Sequence, residues 1–391
     1  MHYCPTCQAS INNTAVYDCP ACGREGPERG WPVDDLIGGS VLMRYRLERR
    51  IGAGGMGVVY RALDAHGVPY AVKILHAWLS QSDDMVRRFR REARAASRLQ
   101  GPHAVKVVEF GELASGSLAL VMEFVDAESL SKRLLHTGWL STEEGLDLLA
   151  QLADGLSEAH NAGLVHRDLK PDNILLQSPP PEAPQGTPAL ARILDFGIVK
   201  YLDASLGTIG QTVEGRVFGT PEYMSPEQAR GDVHLDQRSD IFSLGVCAFL
   251  WWTGRLPFDG PNAQAVMMAR LSQDAPLLSG ARPGRRFPPA LDALVARMLV
   301  RDPAVRLQTM EAVAIEARAL LSPEASARRK GANGAVPVQA GRVEPTIPRS
   351  MPRSPSARTG AAGQWPAVRY ALMMVGFLAA MCAAAWLLRP T

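Results

Sequence analysis

Three stretches of the chain carry side chains whose types and spacing suit chemistry on a phosphate-bearing substrate. The first, Ile51-Gly-Ala-Gly-Gly-Met-Gly-Val-Val59, sets Gly52, Gly54 and Gly57 in a G-x-G-x-x-G-x-V pattern. Glycines let a backbone approach phosphates closely and turn N–H groups toward them. A strand pattern follows this loop, which excludes a dinucleotide-binding turn, and the chain has no Gly-Lys pair, which excludes a P-loop. The second stretch, Tyr70-Ala-Val-Lys73, ends a short apolar strand pattern on a lysine. In the helix pattern that follows, the only acidic residue past the first turn is Glu92, three residues after Phe89 and four before Ala96. That spacing puts it on the apolar face, where a carboxylate needs a cation, and Lys73 is the expected partner. The third is His166-Arg-Asp-Leu-Lys-Pro-Asp-Asn173 after a long helix pattern, with Asp195-Phe-Gly197 after a short strand pattern.

The elements that must position these groups fall into two parts. Strand patterns run over 45–51, 58–63, 70–75, 105–112 and 118–124, with a helix over about 83–99 opened by Asp83 and Asp84. Helix patterns dominate afterwards, over 142–162, 237–252 and 289–299. The expectation is an α+β arrangement: a β-rich first lobe, a helical second lobe and a cleft between them. With 391 residues, 47% hydrophobic and 21% charged, the chain has material for a sizeable core. A net charge of +3 gives no ground for nucleic-acid binding. Six cysteines in this length make no disulfide scaffold, and no signal peptide opens the chain, so the bulk is expected in a reducing cytosol.

From the glycine loop through Lys73, Glu92, the His-Arg-Asp loop and Asp-Phe-Gly to Ser225-Pro226-Glu227, the ordered set resembles the protein-kinase family, in particular bacterial membrane-anchored serine/threonine kinases. The resemblance covers about Tyr45 to Leu321 and implies a bilobal kinase fold. It implies that Ile51, Gly52, Ala53, Gly54, Gly55, Met56, Gly57 and Val58 cover the phosphates of ATP, and that Lys73, steered by Glu92, contacts them. Asn173 and Asp195 would hold Mg²⁺ (or Mn²⁺), a hard cation suited to few protein oxygens plus phosphates. Asp168 would accept the proton of the attacking hydroxyl, and Lys170 would stabilise charge on the transferred group and mark serine/threonine specificity. Val59, Ala71 and Leu175 would sandwich adenine, backbone groups of Glu123 and Val125 would bond its edge, and Met122 would gate it. His166 is expected to pack under Asp-Phe-Gly, Glu227 to pair with Arg306, and Asp240 to brace the catalytic loop. Arg167 would meet a phosphorylated activation loop, with Thr208 and Thr212 as acceptors (Ser205 behind them), and Thr220 would sit beside the substrate pocket. Self-phosphorylation would involve a second copy of the chain.

The appendages read separately. Residues 1–23 hold Cys4-Pro-Thr-Cys7 and Cys19-Pro-Ala-Cys22, whose paired thiolates suit a structural Zn²⁺ in a short zinc ribbon; a redox dithiol pair and unconnected thiols are the alternatives. Residues 24–43 form a connector, 44–321 the kinase region, and 322–369 a Pro/Ala-rich basic linker expected to be disordered. Tyr370–Leu388 is an uncharged run that would span about 28 Å as a helix, close to a bilayer's hydrocarbon thickness. The basic linker before it predicts a single-pass cell-membrane anchor with the kinase facing the cytoplasm and nothing outside to sense a ligand. The resulting expectation is a kinase acting on protein hydroxyls; the alternative is a membrane-tethered, nucleotide-binding pseudokinase scaffold working through its ribbon.

Overall fold

The computed structural model describes residues 2–4, 10–11, 18–19, 23–27, 31–80, 82–184, 187–196, 221–232, 234–282 and 284–321. The chain divides into two units, residues 1–347 and 348–391, and every described residue belongs to the first.

The amino-terminal part is a strand pair, β1 (His2–Tyr3) and β2 (Ser10–Ile11), followed by a six-stranded antiparallel sheet. Its strands are β3 (Ser40–Val41), β4 (Tyr45–Gly54), β5 (Gly57–Leu63), β6 (Pro69–Leu75), β7 (Val107–Glu112) and β8 (Leu118–Glu123), in the order β3-β4-β5-β6-β8-β7. Alternation drives them: in β4, Tyr45 and Leu47 point into a core with Tyr60, Val72 and Val121, while Arg46 faces solvent. Helix α1 (Asp83–Ala96) crosses the other face. The Ser82 hydroxyl accepts from the Met85 amide at 3.2 Å to start it, and Met85, Phe89, Ala93 and Ala96 bury one stripe. The helix closes at Ala96 rather than Leu99, because the Arg98 and Leu99 amides bond three residues back, to Ala95 and Ala96, instead of four.

The carboxyl-terminal part begins with β9 (Glu128–Ser129), α2 (Leu130–Thr137) and α3 (Thr142–Asn161), then β10 (Ile174–Gln177) and β11 (Leu190–Ile193). These strands form a small antiparallel sheet, β11-β10-β9, that carries the catalytic stretch. The Pro-rich connection enters no strand among its described residues, as Pro without an N–H requires. There follow α4 (Pro226–Arg230), α5 (Gln237–Thr253), α6 (Ala263–Ser272), α7 (Leu278–Ala281), α8 (Pro289–Met298) and α9 (Met310–Leu321). Helix α5 is buried on all sides from Ser239 to Thr253, the signature of a central helix, and the others pack around it and α3. Helices α2, α4, α6, α7 and α9 are additions to the sequence reading.

Candidate active site

The glycine loop is the turn between β4 and β5, and its glycines differ in their reasons. A side chain at Gly57 would put Cβ 2.2 Å from the Ile74 carbonyl oxygen of β6, so the sheet itself demands glycine there. Gly52 meets no protein atom nearer than 4.0 Å and Gly54 none within 4 Å, so packing asks for neither. They leave open backbone where a phosphate chain fits, an observation in keeping with nucleotide binding. The loop tip is tied from β6: the His76 amide donates to the Met56 carbonyl at 3.1 Å, and His76 Nε2 lies 3.3 Å from the Gly54 carbonyl. His76 had no signal in the sequence, since a lone histidine after a strand fits many roles.

Below the loop the charged groups converge. Lys73 is buried at the end of β6, and its Nζ lies 2.7 Å from Asp195 Oδ2. Lys170 Nζ lies 3.1 Å from Asp168 Oδ2. The Asn173 side-chain amide donates to the Asp168 carbonyl at 2.8 Å, tying the loop onto itself, while neighbouring Asp172 is exposed. The Asp195 carboxylate and Asn173 amide oxygen are the hard donors that Mg²⁺ takes, and the two lysines are complementary to phosphate. Arg167 and Asp195 hold positive φ, 62° and 56°, uncommon for non-glycine residues; the other two such residues described, Leu42 and Met43, lie in the turn before β4.

The expected Lys73–Glu92 pair is corrected by these distances. Glu92 does sit near the inward face, its side chain 16% exposed, yet its Oε1 accepts from the adjacent Arg91 at 2.9 Å. Lys73 is taken by Asp195, whose left-handed backbone turns the carboxylate up to it. Both carboxylates are thereby satisfied by cations nearer than the one spacing suggested.

The catalytic stretch is held from beneath by a buried network. Asp240 of α5 accepts from the backbone amides of His166 and Arg167, each at 2.8 Å, and lies 2.8 Å from His160 Nε2. Burial alone would raise the Asp240 carboxyl; the His160 and His166 contacts outweigh it and hold the group below the usual carboxylate range. The His166 ring packs edge-on against Phe196, centroids 5.4 Å apart, and its Nε2 lies 2.7 Å from the Leu194 carbonyl. The Gln228 side-chain amide donates to the Arg167 carbonyl at 2.8 Å. Glu227 receives Arg306 through two bonds, 2.8 and 3.0 Å, as its expected pairing requires. Arg270 of α6, fully buried, donates to the Pro221 and Glu222 carbonyls, and no periodicity announced it.

Around the expected adenine slot, Ala71 and Met122 are buried, and Val59, Val125 and Leu175 are half-buried. Glu123 is fixed: its amide donates to the Lys106 carbonyl at 3.0 Å, its carboxylate accepts from the Lys106 amide at 2.8 Å and pairs with Arg192. Thr208, Thr212, Thr220, Gly197, Cys7, Cys22, the linker 322–369 and the run 370–388 lie outside the described residues. Cys4 and Cys19 are inside them, buried together with Ile11 and Trp31. The Gly23 amide donates to the Cys19 carbonyl at 2.8 Å, with Gly23 at φ 68°. Among the described residues no three of His, Cys, Asp and Glu gather as a metal cluster, and no helix is long and apolar enough to cross a membrane.

Comparison with known proteins gives a coherent set. The protein kinase domain family matches residues 45–316. Serine/threonine-protein kinase pkn3 of Myxococcus xanthus is 37% identical over 329 residues, covering 83% of this chain and 58% of that protein. Serine/threonine-protein kinase PknA of Mycobacterium tuberculosis is 39% identical over 278 residues, covering 70% of this chain and 60% of that protein. The chain thus spans less than two thirds of these curated relatives. The crystal structure of the Mycobacterium tuberculosis PknI kinase domain is 27% identical with a TM-score of 0.54, over 73% of this chain and 99% of that one.

Proposed function

The chain belongs to the protein kinase family, and from that premise we propose that it is a serine/threonine protein kinase moving the γ-phosphoryl group of ATP to protein hydroxyls. The observation that carries the reading is the convergence of Lys73 with Asp195 and of Lys170 with Asp168 under one glycine loop, with Asn173 bonded to Asp168. Lys73 orients the α- and β-phosphates. Asp168 takes the hydroxyl proton as the substrate oxygen bonds to the γ-phosphorus and the bridging bond to ADP breaks; Lys170 offsets charge on the group in flight. Mg²⁺, held by Asn173 and Asp195, supplies positive charge to the phosphates when bound. Radiolabelled ATP and a protein substrate test this with the full chain against Asp168→Asn and Lys73→Met. Each variant should lose about 10²-fold or more in transfer, with label on Ser and Thr; equal incorporation in all three would overturn the reading.

The finer reading has three parts. A second copy phosphorylates Thr208 or Thr212, and the phosphate is received by Arg167, with Thr220 near the substrate. Residues 1–23 bind Zn²⁺ through Cys4, Cys7, Cys19 and Cys22, supported by the paired C-x2-C spacing and the shared burial of Cys4 and Cys19. Residues 370–388 anchor the protein in the cell membrane with the kinase in the cytoplasm, supported by the length of the uncharged run and the basic stretch before it.

A further inference from the structure

Strand β4 enters the glycine loop through an irregular stretch. Its register with β5 shifts between Leu47 and Arg49 and again between Arg50 and Gly52, leaving Glu48 and then Ile51 as extra residues on either side of Arg50. Such a strand is poorly fixed by its ladder, and its direction depends on what holds the side chains at the bulge. Here that side chain is Arg50. Its guanidinium pairs with Asp34, whose side chain is 2% exposed, and the Tyr60 hydroxyl, on the residue opposite Arg50 in β5, donates to the same carboxylate oxygen at 3.0 Å. Both strands leading into and out of the loop are therefore tied to one carboxylate.

The other side of Arg50 is covered by the far amino terminus. The Tyr3 ring centroid lies 3.6 Å from the guanidinium carbon. Tyr3 is held there by its amide, which donates to the Pro32 carbonyl at 3.0 Å, while His2 Nδ1 lies 2.5 Å from the Trp31 carbonyl. The segment that seats Tyr3 runs straight into Asp34. An ion pair so desolvated depends on partners that exclude water and match its charge, and a stacked aromatic ring does both for a guanidinium.

We infer that the amino-terminal strand pair is a clamp on the root of the glycine loop, with Tyr3 as a positioning residue acting through Arg50 on nucleotide binding. The inference rests on the kinase reading only for its choice of ligand. The full chain, Tyr3→Ala, Tyr3→Phe and Asp34→Asn are compared in three measurements: Mg-ADP affinity, KM for ATP against kcat, and amide exchange at residues 58–60. Tyr3→Ala should weaken Mg-ADP binding and raise KM for ATP about three- to tenfold, leave kcat within about twofold and speed exchange at 58–60. Tyr3→Phe, which keeps the ring, should match the natural chain, and Asp34→Asn should move the same quantities further. Unchanged affinity and exchange in Tyr3→Ala, a fall in kcat at constant KM, or a Tyr3→Phe as impaired as Tyr3→Ala would each overturn the clamp. If the natural chain binds Mg-ADP yet transfers no phosphoryl group, the kinase reading fails while affinity and exchange still decide the clamp. If it binds none, exchange decides alone.

Discussion

Gly54 and Gly57 stand three residues apart in one turn, and the same substitution at each should read out differently. An alanine methyl at 57 would meet the Ile74 carbonyl of β6, an approach of 2.2 Å that backbone on both strands must yield to. Gly57→Ala should cost about 1–3 kcal/mol, seen as a thermal midpoint several degrees lower. At 54 no protein atom lies within 4 Å, so Gly54→Ala should keep the midpoint and instead raise KM for ATP. The spacing of the motif was legible in sequence, but this division of labour was not, since both glycines look alike until β6 is placed. Lys73 teaches a similar lesson. That it would pair with a carboxylate could be expected from Glu92, but its burial and which carboxylate it meets depended on the fold, including the backbone at Asp195, whose φ of 56° no composition or periodicity encodes.

At the scale of elements, two buried arginines bind the helices to the loops they support. Arg306 reaches Glu227 twice and also the carbonyls of Val300, Arg238 and Arg301. Glu227→Ala would strand that cation and should cost about 3–5 kcal/mol in chemical unfolding. Burial works against the Glu227 charge, but Arg306 prevails, and like Asp240 it ionises at lower pH when folded than when unfolded. Each therefore contributes its full stability above the unfolded values near pH 4 and loses it as pH falls through the folded ones. Unfolding midpoints should hold from pH 7 to 5 and drop steeply below about 4, less steeply in Glu227→Gln. Arg270 works on the segment after residue 220. Burial lowers its guanidinium to about 10, so it stays cationic at neutral pH while bonding two successive carbonyls. Arg270→Lys loses that fork, and KM for the protein substrate should rise with KM for ATP unchanged. The Glu227–Arg306 pair could be expected from the family resemblance, which includes the Ser225-Pro226-Glu227 motif. Arg270 could not, because a charged residue bonded to carbonyls leaves no pattern in charge or hydropathy. Helices α2, α6 and α9 escaped for a related reason: short amphipathic segments are stabilised by what they pack on.

At the scale of the whole chain, the two lobes were legible because strand patterns predominate before residue 124, with one helix among them, and helical patterns predominate after it. The docking of Tyr3 against Arg50 was not legible, since a cysteine-bearing segment with its own connector reads as a separate module. The other end makes a physical claim on location. An uncharged run of 370–388 would carry enough apolar surface to reside in a bilayer, and arginines from 328 to 369 would be held on the cytoplasmic side by their charge. Under the proposed anchoring, a helix there would retain the protein and the linker would let the catalytic unit search a limited volume near anionic lipid. Full-length protein expressed in bacteria should therefore pellet with membranes and resist extraction by high salt, which removes only electrostatic attachment. Deletion of 370–391 should move it to the soluble fraction with transfer to a soluble substrate intact. If the full chain is soluble, or if salt alone releases it, the anchor is not a spanning helix.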